Sequence, residues 1–231
     1  MQKRSHDVYL RIYALILNGT LSPGQKLSLR KLAARCESSI TPVIEALNLL
    51  TGDGLVESRP HWGYFVSLPT RQQIADHLVM REAVESQVAR RLNANLGVRN
   101  GNKLRKAAAA LDAMAVNFTL GKHSESDIER AHCDFHLEMA RMADCQLLID
   151  ALQKINLQFL LIKADSARLR HSVPDHWHTQ LITRILEGSV EAADQAMREH
   201  VRHSQAVIFE QLPPDRPTEK SPAPTLSFRS K

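Results

Sequence analysis

The sequence lacks any apolar run of the roughly 18 residues that a transmembrane helix needs. Its first residues lead straight into an amphipathic stretch, without the apolar block of a secretory signal peptide. The chain contains three cysteines, which stand far apart at Cys36, Cys133 and Cys145. An odd and scattered set excludes a disulfide framework and is typical of proteins from the reducing cytoplasm. We therefore expect a cytoplasmic protein that does not bind a membrane.

Aromatic residues and glycine are also scarce, at 5% of the chain and nine residues respectively. This scarcity disfavours an all-β fold, because sheets are rich in aromatic and β-branched residues. The 231 residues suggest one or two domains. The formal net charge of +5 is compatible with nucleic-acid binding but does not establish it.

Five short elements are predicted in the first 68 residues. Helical spacing of apolar residues predicts three helices, and two strand-like runs around a Pro-His-Trp-Gly turn predict a β-hairpin. The elements are helices at about 7–18, 29–35 and 41–52 and strands at 55–58 and 64–66. This order is typical of a winged helix-turn-helix, whose third helix enters the major groove while the hairpin contacts the backbone or minor groove. From the pattern alone, a small helical interaction domain with a basic face is the alternative.

Beyond residue 68 the pattern becomes helical. Between residues 71 and 211 proline occurs once, at Pro174, and apolar residues recur with the helical period. The predicted helices lie at about 71–97, 102–118, 125–142, 145–164, 174–187 and 189–211. We therefore predict a mainly α protein with three parts. These are a winged helix-turn-helix at 1–68, a bundle of about six helices at 69–212, and a disordered tail at 213–231, which holds five of the ten prolines.

Histidines are concentrated in the bundle, where eight of the eleven lie between residues 123 and 203. His132 and His136 are four residues apart, so their imidazoles share one helix face. His178 near the start of the fifth bundle helix would face His200 on the sixth if those helices are antiparallel. Four converging imidazoles would suit a divalent ion such as Zn²⁺ or Ni²⁺. Taken alone, the pattern is weak, because two histidines four residues apart arise by chance and exposed or core histidines are commoner than metal ligands.

Three segments of the N-terminal part resemble, in order, motifs of the GntR family of transcriptional regulators. They are Asn18 to Leu27 with the family's G-x-L-x-P-G-x-x-L, Ser39 to Leu47 with S-R-T-P-V-R-E-A-L, and Asp53 to Val66 with E-G-L-V … R-G-x-x-V. The resemblance implies a winged helix-turn-helix that binds double-stranded DNA. Because two half-sites one helical turn apart multiply affinity, we expect a homodimer on a palindromic operator.

The resemblance also implies which residues contact DNA. By position they are Arg30, Ser39, Thr41 and Gly63, with Lys31 and His61 as neighbouring candidates; the alternative for Lys31 is ordinary solvated helix surface. Arg30 stands where the family places a DNA-contacting arginine at the start of the second helix. The chain departs from the family at Ile40 and Ile44, which replace two arginines, and at Trp62, which replaces the arginine of the wing. An isoleucine offers only apolar contact where an arginine donates bidentate hydrogen bonds.

The helical part resembles the FCD domain of the FadR subfamily. The matching segments are Met80 to Glu85, Phe135-His136, His178 with Leu181 and Gly188, and Ala192 to Val201. The resemblance implies that His136, His178 and His200 hold a metal ion that helps to bind a small carboxylate effector. His132 stands where the family has an aspartate ligand, so a four-histidine site with a divalent ion would carry a net charge of about +2. Arg81 is a candidate clamp for the effector, because a planar guanidinium suits a carboxylate; its alternative is an ion pair.

A ligand-responsive transcription factor is therefore the predicted function, with effector, operator and direction of regulation left open. A metalloenzyme is disfavoured, because the sequence contains no His-Glu-x-x-His motif, no nucleophile with a paired base and no glycine-rich phosphate loop. A third possibility is a helical sensor whose head acts through protein contacts. Ile40 and Ile44 motivate it, since they are apolar where charge is expected.

Overall fold

A computed structural model of the chain describes residues 3–119, 125–165 and 174–211. Its first part consists of helices and short strands in the order α1 Lys3–Leu17, β1 Lys26–Leu27, α2 Leu29–Arg35, α3 Ile40–Gly52, β2 Val56–Arg59 and β3 Gly63–Val66. The strands form one antiparallel sheet in the order β1-β3-β2. The predicted winged helix-turn-helix is confirmed. Strand β1 was not predicted, because two residues are too few to show an alternating pattern.

The first three helices enclose a small core of their own. Val8 and Ile12 of α1 are buried against Val43 and Leu47 of α3 in one apolar cluster. Helix α2 is capped as its sequence predicts, since the Ser28 hydroxyl accepts the Lys31 amide. Together these contacts fix the orientation of α3 within this part of the chain. We call this part of the chain, residues 3–66, the head.

The hairpin is tied to α3 and to β1. The Tyr64 hydroxyl donates to Asn48 Oδ1 on α3 at 2.7 Å. The Val66 amide donates to the Gln25 carbonyl at 2.9 Å, next to β1. At the tip, Gly63 has a φ of +90° and open space around its missing side chain. The wing is therefore held rigidly beside α3, with its turn directed to solvent.

Six helices make up the described bundle: α4 Arg71–Asn100, α5 Asn102–Thr119, α6 Glu125–Met142, α7 Gln146–Asp165, α8 Trp177–Glu187 and α9 Val190–Gln211. Helix α4 begins with a capping box between Thr70 and Gln73. The break predicted at 97–101, between the first two helices of the bundle, is longer than the observed one. Helix α4 continues through Gly97 to Asn100. A single glycine costs a helix only about 1 kcal/mol, which long-helix packing offsets.

The bundle has one continuous apolar core, with Leu92, Leu104, Met139 and Ile182 fully buried in it. Helix α4 packs along α9 and also contacts α7 and α8. Leu157 of α7 packs against the core of the head, so the two parts touch there. Among the described helices, none has the length and apolar content needed to cross a bilayer. The predicted tail at 213–231 lies outside the described residues, and the boundaries at 68 and 212 stay predictions.

We predict that Gly101→Ala destabilises the protein by about 1–3 kcal/mol, because overpacking a filled core has that cost. Gly101 is buried between α4 and α5, and a Cβ placed there would overlap Leu186 of α8. The free energy of unfolding in urea measures the effect. Gly52→Ala is the matched control, since nothing lies within 4 Å of a Cβ at Gly52. Equal stability of the two variants would contradict the close packing of α8 on this joint.

Candidate metal and effector site

Three imidazoles meet at one buried point of the bundle. His132 and His136 come from α6 and His200 from α9. The Nε2 atom of His136 lies 3.1 Å from that of His132 and 3.2 Å from that of His200, and the third separation is 3.5 Å. His136 and His200 are each 1% exposed and His132 is 9% exposed. The structure therefore brings together three of the four predicted histidines through these atoms.

The fourth predicted histidine, His178 at the start of α8, packs against this triad. Its ring centroid lies 5.3 Å from those of both His132 and His200. Its Nε2 atom is buried, and none of the described residues hydrogen-bonds to it. A buried nitrogen without a partner is unfavourable unless another group completes the site.

Carboxylates hold the outer nitrogens of two of these rings. Glu85 Oε2 of α4 lies 2.6 Å from His136 Nδ1, and Asp112 Oδ1 of α5 lies 2.8 Å from His178 Nδ1. A carboxylate at this distance favours a hydrogen on Nδ1, so each Nδ1 carries the hydrogen and each Nε2 keeps its lone pair. Metal-ligating histidines are typically oriented by such outer contacts.

Burial keeps the triad neutral and the carboxylate charged. Desolvation lowers the pKa of His136, and it lowers the pKa of His132 and His200 well below the usual value for histidine. For Glu85, burial alone would raise the pKa, but Arg81 and His136 beside it lower the pKa to about 2. Neutral imidazoles with converging lone pairs are the protonation state in which histidine binds metal.

The spacing of the triad fits a tetrahedral ion. Ligands at the usual Zn–N distance of about 2.0–2.1 Å stand about 3.3–3.4 Å apart around a tetrahedron. The three observed separations, 3.1, 3.2 and 3.5 Å, bracket that value. Hydrogen bonds between the rings would also bring nitrogens this close, but they leave the lone pair of His178 Nε2 unused. A cation at the centre of the triad would use the lone pairs of His132, His136 and His200, whose ligand atoms all lie within 4.8 Å of one another.

The charges around the rings also fit a dication. Glu85 and Asp112 each bring a carboxylate to one of the rings, and the Arg81 guanidinium beside Glu85 also interacts electrostatically with Glu129. With neutral histidines, this set has a formal charge of −2. A divalent ion would balance it, whereas a site without one leaves negative charge in a low-dielectric core.

Arg81 is 2% exposed, and its Nε donates to Glu85 Oε1 at 2.6 Å. The ion pair that was the alternative for Arg81 is therefore present, and it is buried within α4. Through Glu85 the guanidinium is linked to His136. The predicted role of Arg81 as an effector clamp stays a prediction.

Sequence reasoning missed the two carboxylates that hold the rings. Glu85 has a local signal, since it lies four residues after Arg81 on one helix face. Asp112 has no local signal, because only the packing of α5 against α8 brings it to His178. There its carboxylate also accepts the His178 and Thr179 amides and the Thr179 hydroxyl. It thus caps α8, whose own N-cap residue makes no side-chain hydrogen bond.

The predicted DNA-contacting residues lie on the surface of the head. All of them are exposed, and they occupy α2, the start of α3 and the turn of the wing: Arg30, Lys31, Ser39, Thr41, His61 and Gly63. Ser39 is the N-cap of α3 and makes no side-chain cap hydrogen bond. His61 has a φ of 64°, which helps to turn the hairpin. Their contact with DNA stays a prediction.

Comparison with known proteins adds independent evidence. Residues 4–66 match the family of bacterial regulatory proteins of the gntR type, and residues 76–203 match the FCD domain. An uncharacterised HTH-type transcriptional regulator of Streptomyces ambofaciens is 30% identical over 85% of this chain and 81% of its own length. The HTH-type transcriptional repressor RspR of Escherichia coli is 24% identical over 87% of each chain.

Solved structures share the fold. The crystal structure of a transcriptional regulator GntR from Rhodococcus sp. RHA1 superposes with a TM-score of 0.76 at 21% identity, covering 92% of this chain and 100% of that one. At this level of identity the likeness concerns the arrangement of helices and strands.

We predict that Asp112→Asn lowers the free energy of unfolding by about 1–2 kcal/mol, because it weakens the cap of α8 and a charged hydrogen bond. Urea denaturation measures the loss. Histidine-selective ¹⁵N NMR should also show that the Nδ1 proton of His178 is no longer fixed. Asp134→Asn, the same change at an exposed position of α6, should alter neither reading. An unchanged His178 signal in Asp112→Asn would contradict the positioning role of Asp112.

Proposed function

The chain belongs to the GntR family of bacterial transcriptional regulators and carries an FCD domain, and we propose that a small carboxylate, bound with a histidine-held metal ion in the bundle, controls its affinity for operator DNA. The family and its relatives are regulators and not enzymes. GntR regulators bind operator DNA through the N-terminal head. The convergence of three Nε2 atoms at 3.1–3.5 Å carries the metal part of the proposal.

The ligands of the proposed ion are His132, His136, His178 and His200. Imidazole nitrogens suit Zn²⁺ or Ni²⁺, whereas Mg²⁺ and Ca²⁺ prefer oxygen. When bound, such an ion supplies a Lewis-acidic position for a carboxylate oxygen. Arg81, linked to His136 through Glu85, is the protein group that would receive the rest of an acidic effector.

The signal has a physical route from the bundle to the head. Asn156 of α7 donates to the backbone carbonyl of Cys133, which follows His132 on α6. The next residue of α7, Leu157, packs against the core of the head. A change in the position of α6 would therefore reach α1 through α7. The effector alters DNA affinity only by its differential affinity for the two arrangements.

On DNA, the proposed contacts are Arg30, Lys31, Ser39, Thr41, His61 and Gly63. Arg30 and Lys31 would meet phosphates, and the start of α3 and the wing would meet the grooves. We propose a homodimer on a palindromic operator, since a two-fold protein matches two half-sites. Because the relative RspR is named a repressor, repression is the proposed direction. Such a regulator works beside the chromosome, in the cytoplasm.

We predict that the purified full-length chain binds close to one Zn²⁺ or Ni²⁺ per protomer and that His136→Ala and His200→Ala lose it. Elemental analysis after dialysis gives the content. Thermal denaturation gives a second reading, since a ligand at a thousand times its Kd stabilises the folded state by about 4 kcal/mol. The variants should lose this metal-dependent stabilisation.

The matched control is His176→Asn, which changes an exposed histidine two residues before His178 and keeps a residue tolerant of the positive φ found there. It should bind metal as the parent does. Equal metal content in all variants, or none in the parent, would overturn the metal site and leave the family assignment untouched.

We predict that Arg30→Ala weakens operator binding several-fold and lowers the slope of log K against log salt by about one unit, because one phosphate contact is lost. Fluorescence anisotropy over a range of salt concentrations measures both quantities. Lys106→Ala removes a cation from α5 of the bundle, far along the chain from the head, and should change neither. An unaltered slope in Arg30→Ala would remove Arg30 from the DNA interface.

A further inference from the structure

The start of α3 presents an apolar side chain to solvent. Ile40 is the first residue of the helix and is 44% exposed. Residues in the first turn of the second helix of a helix-turn-helix contact base edges in the major groove. A single exposed isoleucine has no meaning by itself, but at this place in a DNA-binding head it meets the bases.

Ile40 belongs to a row that borders the wing. Ile44 and Asn48 follow at intervals of four residues, so the three side chains lie one turn apart on one face of α3. Asn48 Oδ1 accepts the Tyr64 hydroxyl of strand β3 at 2.7 Å. This bond places the Asn48 end of the row next to the hairpin. Its only polar member, Asn48, is thus bound to the wing.

Cations lie outside this row. Arg30 and Lys31 are exposed at the start of α2, and Arg59 of β2 lies over the Phe65 ring at 4.4 Å. Cations at these places suit phosphates, which position a protein on the duplex without reading its sequence. Base reading by the row itself therefore depends on apolar contact at Ile40 and Ile44.

We propose, on the basis of the function proposed above, that Ile40 reads thymine in the major groove through the base's 5-methyl group. An isoleucine has no donor or acceptor for the base edges. The thymine methyl is the one major-groove feature that an apolar side chain recognises. The operator thus carries thymine under the start of α3, and Ile44 one turn later supports the same apolar contact.

The experiment begins with an operator selected from a random duplex library by the full-length protein. Each thymine of that operator is then replaced singly by uracil, which removes the methyl and keeps every hydrogen-bonding group. One position in each half-site should lose about fourfold in affinity, the effect of removing one buried methyl-sized group. Binding is measured by anisotropy at fixed salt.

Three variants assign this effect to a side chain. Ile40→Ala should bind the thymine and uracil duplexes equally, and Ile40→Arg should move the preference at that position towards guanine. Leu49→Ala is the matched control, because Leu49 is 40% exposed and lies nine residues on, half a turn round the helix from Ile40. It should keep the fourfold difference of the parent.

The outcomes separate this proposal from the one it rests on. A specific, salt-sensitive operator whose affinity no uracil changes would overturn thymine reading while DNA regulation stands. A difference that persists in Ile40→Ala would assign the methyl contact to another residue and also overturn the proposal. Failure to select any duplex, with no dependence of binding on salt, would overturn both and favour a protein partner for this surface.

Discussion

The site depends on two carboxylates that hold the far side of two imidazole rings. Glu85 and Asp112 each lie against an Nδ1 atom and favour a hydrogen on it, which leaves the Nε2 lone pairs of His136 and His178 for the interior. The carboxylates come from α4 and α5, and the rings come from α6 and α8. His200 of α9 completes the set. Five helices must therefore be correctly packed before the nitrogens converge, and the geometry of the site depends on the packing of the whole bundle.

The same dependence suits the bundle to the role of a sensor. A ligand that displaces the rings of His132, His136 or His178 also displaces α6 or α8, which carry them. Helix α6 is joined to α7 by the hydrogen bond from Asn156 to the Cys133 carbonyl. Because packed cores rearrange between discrete arrangements and resist continuous deformation, a small shift of α6 is passed on as a shift of α7. Because Leu157 of α7 packs against the core of the head, a shift of α7 would also move the head.

Local patterns were sufficient to predict the elements and the ligand-type residues but not the contacts that orient them. The interval from His132 to His136 and the helical periods are local, and the helix bounds agree with the prediction to within a few residues. The position of Asp112 on His178 depends on packing between residues 66 apart in sequence. Strand β1 was not predicted for the same reason. Lys26 and Leu27 form a strand only through their pairing with β3, which lies far along the sequence.

The charged groups around the rings change the net charge expected for a site in which His132 replaces an aspartate. Sequence reasoning assigned a net +2 to four histidines with a divalent ion, since the aspartate of the family is missing. Among the described residues, Glu85 and Asp112 contact the rings and Arg81 interacts with Glu85 and Glu129, so these four groups and a divalent ion would have formal charges that sum to zero. Net attraction would then contribute little to binding an anion in this core. A carboxylate effector would have to coordinate the ion directly and compete with Glu85 for Arg81, which would loosen the hold of α4 on His136. In that case the step in which the effector binds would also weaken the contact between α4 and α6.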